Sequence, residues 1–237
     1  LVALNSAGSL SNIDYTKTQN SGQDIRFTGL DGTSLLNYEI DKWNENATSS
    51  VWVKVPNING SNATTSIYMY YNNTAAVDGQ QATSTWNSSY YSVWHLNELT
   101  TSTTAYVIDS TVNAWNASSS GTSFPVSSTV SAVGTALDFD GVNDFLRTPS
   151  STSTGFASNI LTVSMWLNWD NFTFNDLLAM EYSRNFNNTN HTFIINPNSS
   201  AGTDGTGAAI HGVAGTDFRE ETIPFASSTA GVFQHFS

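Results

Sequence analysis

The segment SSVWVKVPNINGSNATTSIYMYYNN, Ser49 to Asn73, decides the fold class. Val51, Val53 and Val55 alternate with Trp52 and Lys54, and Ile67, Met69 and Tyr71 alternate with Tyr68 and Tyr70. A period of two sends successive side chains to opposite faces, which is the pattern of strands and not of helices. Pro56 to Thr65, between the two runs, is rich in Asn, Gly and Ser, so the pair predicts an antiparallel hairpin with a long loop. Immediately upstream, DIRFTGLDGTSLLNYEIDKW (Asp24 to Trp43) repeats the pattern around a turn at Leu30 to Thr33. Asp31 and Gly32 there tolerate positive φ.

From Ala75 to Ser89 the chain becomes rich in Ala, Gln, Ser and Thr and loses its periodicity. This marks a connector or one short helix, and a domain boundary near Ser89, dividing the chain into 1–89 and 90–237. Beyond it, YSVWHLNE, TAYVIDST, TALDFDG and NDFLRT are short β segments set between polar, turn-rich stretches. In LTVSMWLNWD (Leu161 to Asp170), Leu161, Val163, Met165, Leu167 and Trp169 share one face, and Ser164, Trp166 and Asn168 the other. DLLAMEYS, HTFIINP and GAAIHGV continue the series at spacings typical of a sandwich or jelly roll. The expected fold class is all-β.

Composition narrows the function classes. Only 11% of the 237 residues are charged, and 12% are aromatic. Thr and aromatic side chains suit a pleated surface, and Ser, Asn and Gly suit turns. Seven Lys and Arg against nineteen Asp and Glu give a net charge of −12, a field that repels phosphate backbones and anionic lipid surfaces. Nucleic acid is therefore not an expected partner. With no cysteine, the chain can build neither a disulfide framework nor a thiolate metal site. The Asn-x-Ser/Thr acceptor pattern begins at Asn46, Asn59, Asn62, Asn72, Asn87, Asn116, Asn171, Asn187, Asn190 and Asn198. Its density fits N-glycosylation of an exported, cell-surface protein, and equally the chance yield of an Asn/Ser/Thr-rich sequence. No run of about 18 apolar residues that could span a membrane is present, and no basic-then-apolar leader opens the chain. The start LVALNS is that of a processed or truncated chain.

The stretch GQDIRFTGLDGTSLLNYEIDKWNENATSSVWVKVPNINGSNATTSIYMYYNN resembles an uncharacterised β-domain family of microbial surface proteins, commonly placed directly before a LamG-like module. The downstream segments VWHLNE, VIDSTVNAWNASSSG, GTALDFDGVNDFLRTP and LTVSMWLNWD resemble the opening half of a LamG-like, concanavalin A-like jelly roll. The resemblance implies a β-sandwich-like domain followed by a jelly roll incomplete at its C-terminus. Modules of the second type close with a W-H-x-V strand and a YVNG-like hairpin, whereas this chain ends at GVFQHFS. The first domain lacks its usual opening strand before LVALNS. Both departures imply a segment of a longer polypeptide, whose open sheet edges invite self-association by strand pairing.

Four groups of residues could carry chemistry. In ALDFDGVNDFLRT (Ala136 to Thr148), Asp138, Asp140, Asn143 and Asp144 are hard oxygen ligands, and calcium is the ion such a set would take. The order is not that of an EF-hand, because the glycine comes too early and no glutamate follows. The alternative is a hairpin turn begun by Asp140 and Gly141 and capped by Asn143 or Asp144. In YEIDKWNE, Glu39, Asp41 and Glu45 all fall on odd positions, but Glu45 lies in a polar turn, so the paired strand carboxylates of a retaining glycosidase are not matched. The bland reading is a solvated strand edge. His95, His191, His211 and His235 show no zinc spacing, and His95 reads as a hydrogen-bonded residue at the edge of a core. No Gly-x-Ser-x-Gly elbow or phosphate loop occurs. Trp43, Trp52, Trp115, Trp166 and Trp169 could stack on sugars or fill a core. Trp166 stands out because it is opposite in phase to the apolar stripe. The expected function is a non-enzymatic, extracellular module of a large microbial cell-surface glycoprotein, in adhesion or carbohydrate contact with glycans or other surface proteins. The competing expectation is a structural subunit of a filament, sheath or layer.

Overall fold

The computed structural model describes residues 1–6, 12–58, 60, 65–98, 106–119, 123–149, 162–168, 180–183, 191–196, 207–209, 223–224 and 231–236. They belong to two compact units, Leu1–Pro149 and Ser150–Ser237. The boundary expected at Ser89 falls inside the first of them.

The first unit is built on two three-stranded antiparallel sheets. One has the order β1 (Val2–Leu4), β5 (Ser49–Val53), β4 (Tyr38–Lys42), and the other β3 (Leu35–Leu36), β2 (Arg26–Thr28), β6 (Tyr68–Tyr70). Alternation decides what each buries. Val51 opposite Ile40 and Val53 opposite Tyr38 face inward from the first sheet, and Phe27 between Leu36 and Met69 faces inward from the second. Leu4, Ile13, Tyr15, Ile25, Phe27, Tyr38 and Val51 form the core between them. Completely burying a side chain of this kind contributes ~2 kcal/mol, which makes this cluster the main stabilising element of the unit. Polar groups inside it are paired: the Tyr15 hydroxyl donates to the Leu4 carbonyl at 3.0 Å, and that of Tyr38 to the Ile25 carbonyl at 2.6 Å.

The turn at Leu30–Thr33 forms as its sequence predicts. Asp31 Oδ1 accepts from the Thr33 and Ser34 amides, and Gly32 takes φ +70°. The hairpin predicted from Ser49–Asn73 does not form. β5 pairs with β1 and β4, whereas β6 pairs with β2, so the two runs lie in different sheets and meet across the core. The long polar connection carries the chain from one sheet to the other.

After α1 (Ala82–Thr85), the short helix allowed for in the Ala75–Ser89 segment, the first unit adds two ribbons. These are β7 (Tyr106–Val107) with β8 (Ala117–Ser118), and β9 (Val126–Ser128) with β10 (Ala136–Asp138). Isolated bridges join Trp94 to Asp109 and Ser118 to Arg147.

In the second unit, β12 (Met180–Ser183), β13 (His191–Asn196), β14 (Gly207–Ala209) and β15 (Ile223–Pro224) form an antiparallel sheet in chain order. β11 (Met165–Leu167) pairs with β16 (Gln234–Phe236). Apart from α1 and a 3₁₀ turn at Tyr15–Lys17, all regular structure among the described residues is antiparallel β, so the fold is all-β. No helix among these residues is long and apolar enough to cross a membrane.

Candidate functional sites

Trp166 sits at the centre of β11, where exposed and half-buried residues alternate from Thr162 to Leu167. It is 49% exposed, on the face away from Met165 and Leu167, as its phase predicts. Antiparallel register places His235 of β16 directly opposite. The two ring centroids are 5.0 Å apart at 54°, and His235 Nε2 lies 2.8 Å from Ser164 Oγ, so the ring is oriented by a hydroxyl on its own sheet face. The result is a solvent-facing aromatic pair with hydrogen-bonding groups beside it, a combination that contacts the apolar face and the hydroxyl edge of a sugar together. Trp169 lies outside the described residues.

The other tryptophans of the set fill interiors. Trp43 packs edge-on to Tyr15 at 5.2 Å, and Trp115 stacks on Tyr91 at 6.0 Å. Trp52 closes over a buried charge cluster. Glu39 and Asp41 of β4 project from the face opposite the core, and a bulge between Ile40 and Lys42 re-aims the strand at Asp41. His95 fits between them: Nε2 lies 3.0 Å from Glu39 Oε2, and Nδ1 lies 3.3 Å from Asp41 Oδ1. The three side chains are 9% (His95), 12% (Glu39) and 3% (Asp41) exposed, so the solvated strand edge expected for these carboxylates is corrected to a covered polar network. Glu45 stands apart, in an exposed turn.

The remaining oxygens of Glu39 are also engaged. Ser110 Oγ donates to Oε1 at 2.6 Å, and the Trp86 indole N–H donates to Oε2 at 2.7 Å. Trp52 stacks on the His95 ring at 5.8 Å and 28°. Asn97 Nδ2 donates to the Asp41 carbonyl at 2.7 Å. A carboxylate at each ring nitrogen is matched only by the doubly protonated imidazolium, which can donate from both. Burial pushes the His95 pKa down, but Glu39 first, then Asp41 and Glu98, outweigh it and hold it above its ordinary value. Burial likewise raises Glu39, yet its bonds to His95, Ser110 and Trp86 bring it below the usual carboxylate range. Burial wins at Asp41, whose pKa is raised despite the nearby His95 charge. Ser110 reaches the glutamate and not the imidazole, so the set does not have the order of a nucleophilic triad. Its chemistry is that of a buried ionic staple, tying Trp86, His95, Asn97 and Ser110 to β4.

In the Asp138–Asp144 segment Asp140 and Asp144 point at the segment's own backbone, while Asp138, the last residue of β10, is exposed. Asp140 Oδ1 accepts from the Val142, Asn143 and Asp144 amides at 2.8, 3.1 and 3.3 Å. Asp144 Oδ2 accepts from the Asp140 amide at 2.9 Å, and Gly141 takes φ +69°. These bonds depress the Asp140 pKa. The turn is as predicted, but β10 pairs with β9 instead of the strand after the turn, so the expected hairpin partners are not joined. Among the described residues no group of three or more His, Cys, Asp or Glu is placed to hold a metal ion.

Of the acceptor asparagines, Asn46, Asn72 and Asn87 are exposed. Asn116 is half-buried, its Oδ1 accepting from the Asp109 amide at 2.8 Å and its Nδ2 donating to the Tyr106 hydroxyl at 2.8 Å. Asn59, Asn62, Asn171, Asn187, Asn190 and Asn198 lie outside the described residues.

Reading the sequence missed Trp86, Asn97 and Ser110, because no local spacing connects them to β4. The one available signal was the pair Glu39 and Asp41 on a single strand face, together with an isolated histidine in an apolar run.

Residues 21–118 match a family described as a domain of unknown function, DUF2341. The matched stretch contains β2 to β8 and the whole Glu39–His95–Asp41 network, and runs through Ser89 without a break. No curated protein and no solved structure matches the chain.

Proposed function

We propose that this chain is a non-enzymatic carbohydrate-contact module of a microbial cell-surface glycoprotein, working outside the cell, with its later part built as a LamG-like jelly roll. The observation that carries the reading is Trp166, half exposed on β11 with His235 and Ser164 beside it. A large apolar ring kept in solvent costs stability that burial would recover, and an aromatic face flanked by hydrogen-bonding groups is chemically suited to a sugar. The acidic, hydroxyl-rich composition and the exposed acceptors at Asn46, Asn72 and Asn87 suit an extracellular, glycosylated surface. Screening the protein and Trp166→Ala against a glycan array tests it. Binding to at least one glycan that is lost in the variant is expected, and an array on which both behave as background rejects it.

A structural subunit assembled by strand pairing is the second reading. It is favoured by strands such as β6, whose one ladder among the described residues is to β2. A subunit mass that stays that of one chain at rising concentration rejects assembly.

A further inference from the structure

The Leu1–Pro149 unit carries an exposed aromatic surface of its own. The register that buries Phe27 between Leu36 and Met69 necessarily puts their neighbours on the outer face. Thr28 lies between Leu35 and Tyr68 and is itself covered at 3% exposure, and the half-buried Arg26 lies opposite Tyr70, so the exposed part of this face is Leu35, Tyr68 and Tyr70. Tyr68 and Tyr70 are 47% and 49% exposed. Two residues apart on an extended strand, they are ~7 Å apart along it. Beside Tyr70 the surface dips into an open cleft of about 210 Å³, lined by Asp24, Arg26, Tyr70, Tyr71, Asn73 and Ala76.

The walls of this cleft are fixed in place. Asp24, 3% exposed, accepts from the Gln19, Asn72 and Asn73 amides at 2.8, 2.8 and 3.3 Å. Arg26 donates to the carbonyls of Gln23 at 2.8 Å, Ile25 at 2.6 Å and Val77 at 2.8 Å. The Tyr70 hydroxyl donates to the Gly32 carbonyl at 3.3 Å. A ligand entering therefore has little side-chain ordering to impose, which favours binding.

We propose that the outer face of β2 and β6 binds a neutral saccharide chain, one ring in the cleft against Tyr70 and a neighbouring unit over Tyr68. The volume is below the ~300 Å³ at which pockets for drug-sized ligands begin, and suits a single ring. The two tyrosines supply flat apolar faces at spaced positions, and the edge carries the Asn73 amide, whose Oδ1 accepts from the Ala75 amide at 3.1 Å, and the Tyr71 hydroxyl, which accepts from the Asp14 amide at 3.3 Å and keeps its own proton to donate. A floor of carboxylate and guanidinium does not suit an aliphatic peptide. The net charge of −12 opposes a polyanion. A neutral, polyhydroxylated ligand is the class that meets all of these conditions.

Titration of the full chain, carrying a ¹³C label on tyrosine, with cello-, xylo- and manno-oligosaccharides and with acidic oligogalacturonate tests the proposal. Saturable shifts at Tyr68 and Tyr70 with at least one neutral oligosaccharide are expected. The double change Tyr68→Ala, Tyr70→Ala weakens that binding about tenfold or more, because two stacked rings are lost. Tyr70→Phe, which keeps the ring, retains most of that binding. If the double variant melts early, Tyr68→Ala alone gives the same reading. An Asn72→Gln background removes any glycan on the residue following Tyr71. Tyrosine shifts that disappear in that background without added sugar assign the cleft to the chain's own glycan and overturn a free ligand. The proposal is also overturned if no neutral oligosaccharide shifts Tyr68 or Tyr70 at millimolar concentration, if the alanine changes leave affinity unaltered, or if oligogalacturonate binds as tightly.

Discussion

His95 is held by an anion at each ring nitrogen, so its proton contributes to folding in a way that pH can remove. Below its ordinary value of 6.5, folded and unfolded chains both carry the proton and the stabilisation is complete. As pH rises the unfolded chain loses the proton first, and the contribution fades as pH passes through the raised folded value. Melting temperature should therefore fall as pH rises from 6.5 through the raised folded value, and His95→Gln should flatten that slope, losing more stability below 6.5 than above the folded value. Glu39 acts on the acid side: with its pKa depressed, its contribution is present above the ordinary glutamate value and is lost as pH falls through the depressed one. Glu39→Ala should cost about 3 kcal/mol by urea unfolding, since it leaves a buried imidazolium with one fewer partner. The Asp140 turn gives a contrasting expectation. Its carboxylate already accepts three backbone amides, so EGTA should leave the melting temperature unchanged while Asp140→Ala lowers it. A calcium-dependent melt would instead support the ligand reading of Asp138, Asp140, Asn143 and Asp144.

At the scale of elements, alternation made the strands legible but not their partners. Val51 and Met69 were both readable as lying on one face of an alternating run, yet the same pattern fits neighbours in one sheet and strands facing each other across a core. Only the second occurs here. The Leu30–Thr33 turn was legible because its chemistry is local: an Asx carboxylate and a glycine close it within four residues. The His95 network was not, because Glu39 and His95 are 56 positions apart and a strand bulge sets the aim of Asp41. The same network explains a glycine that no local pattern singles out. Gly134 takes φ +62°, and a Cβ there would run into the Asp41 carboxylate, while its carbonyl accepts from Lys42 Nζ at 2.9 Å. Gly134→Ala therefore combines backbone strain with a clash against a buried charge. It should destabilise the protein by upwards of ~1 kcal/mol in urea unfolding, whereas Gly141→Ala, also at positive φ but in open space, should cost less.

For the molecule as a whole, the question is which part of the chain folds as one piece. Ending the chain at Ser89 would keep both sheets and the core between them, but it would remove His95, Asn97 and Ser110. Glu39 and Asp41 would lose their partners, Trp52 would lose the His95 ring stacked on it, and Trp86 would lose its tilted contact with the same ring. Deleting one partner of a buried ion pair typically costs 3–5 kcal/mol against a total stability of about 5–15 kcal/mol, so this loss alone approaches the margin. Relaxation would not recover it cheaply, because Glu39 is fixed in the middle of β4 opposite Trp52. A chain of residues 1–149 retains every group of the network and should melt cooperatively, with strong near-ultraviolet circular dichroism from its packed tryptophans. The 1–89 chain should show neither. If 1–89 instead unfolded cooperatively with the same midpoint, the ionic staple would be an accessory to the sandwich, and Ser89 would be a true domain end despite the compact unit that crosses it.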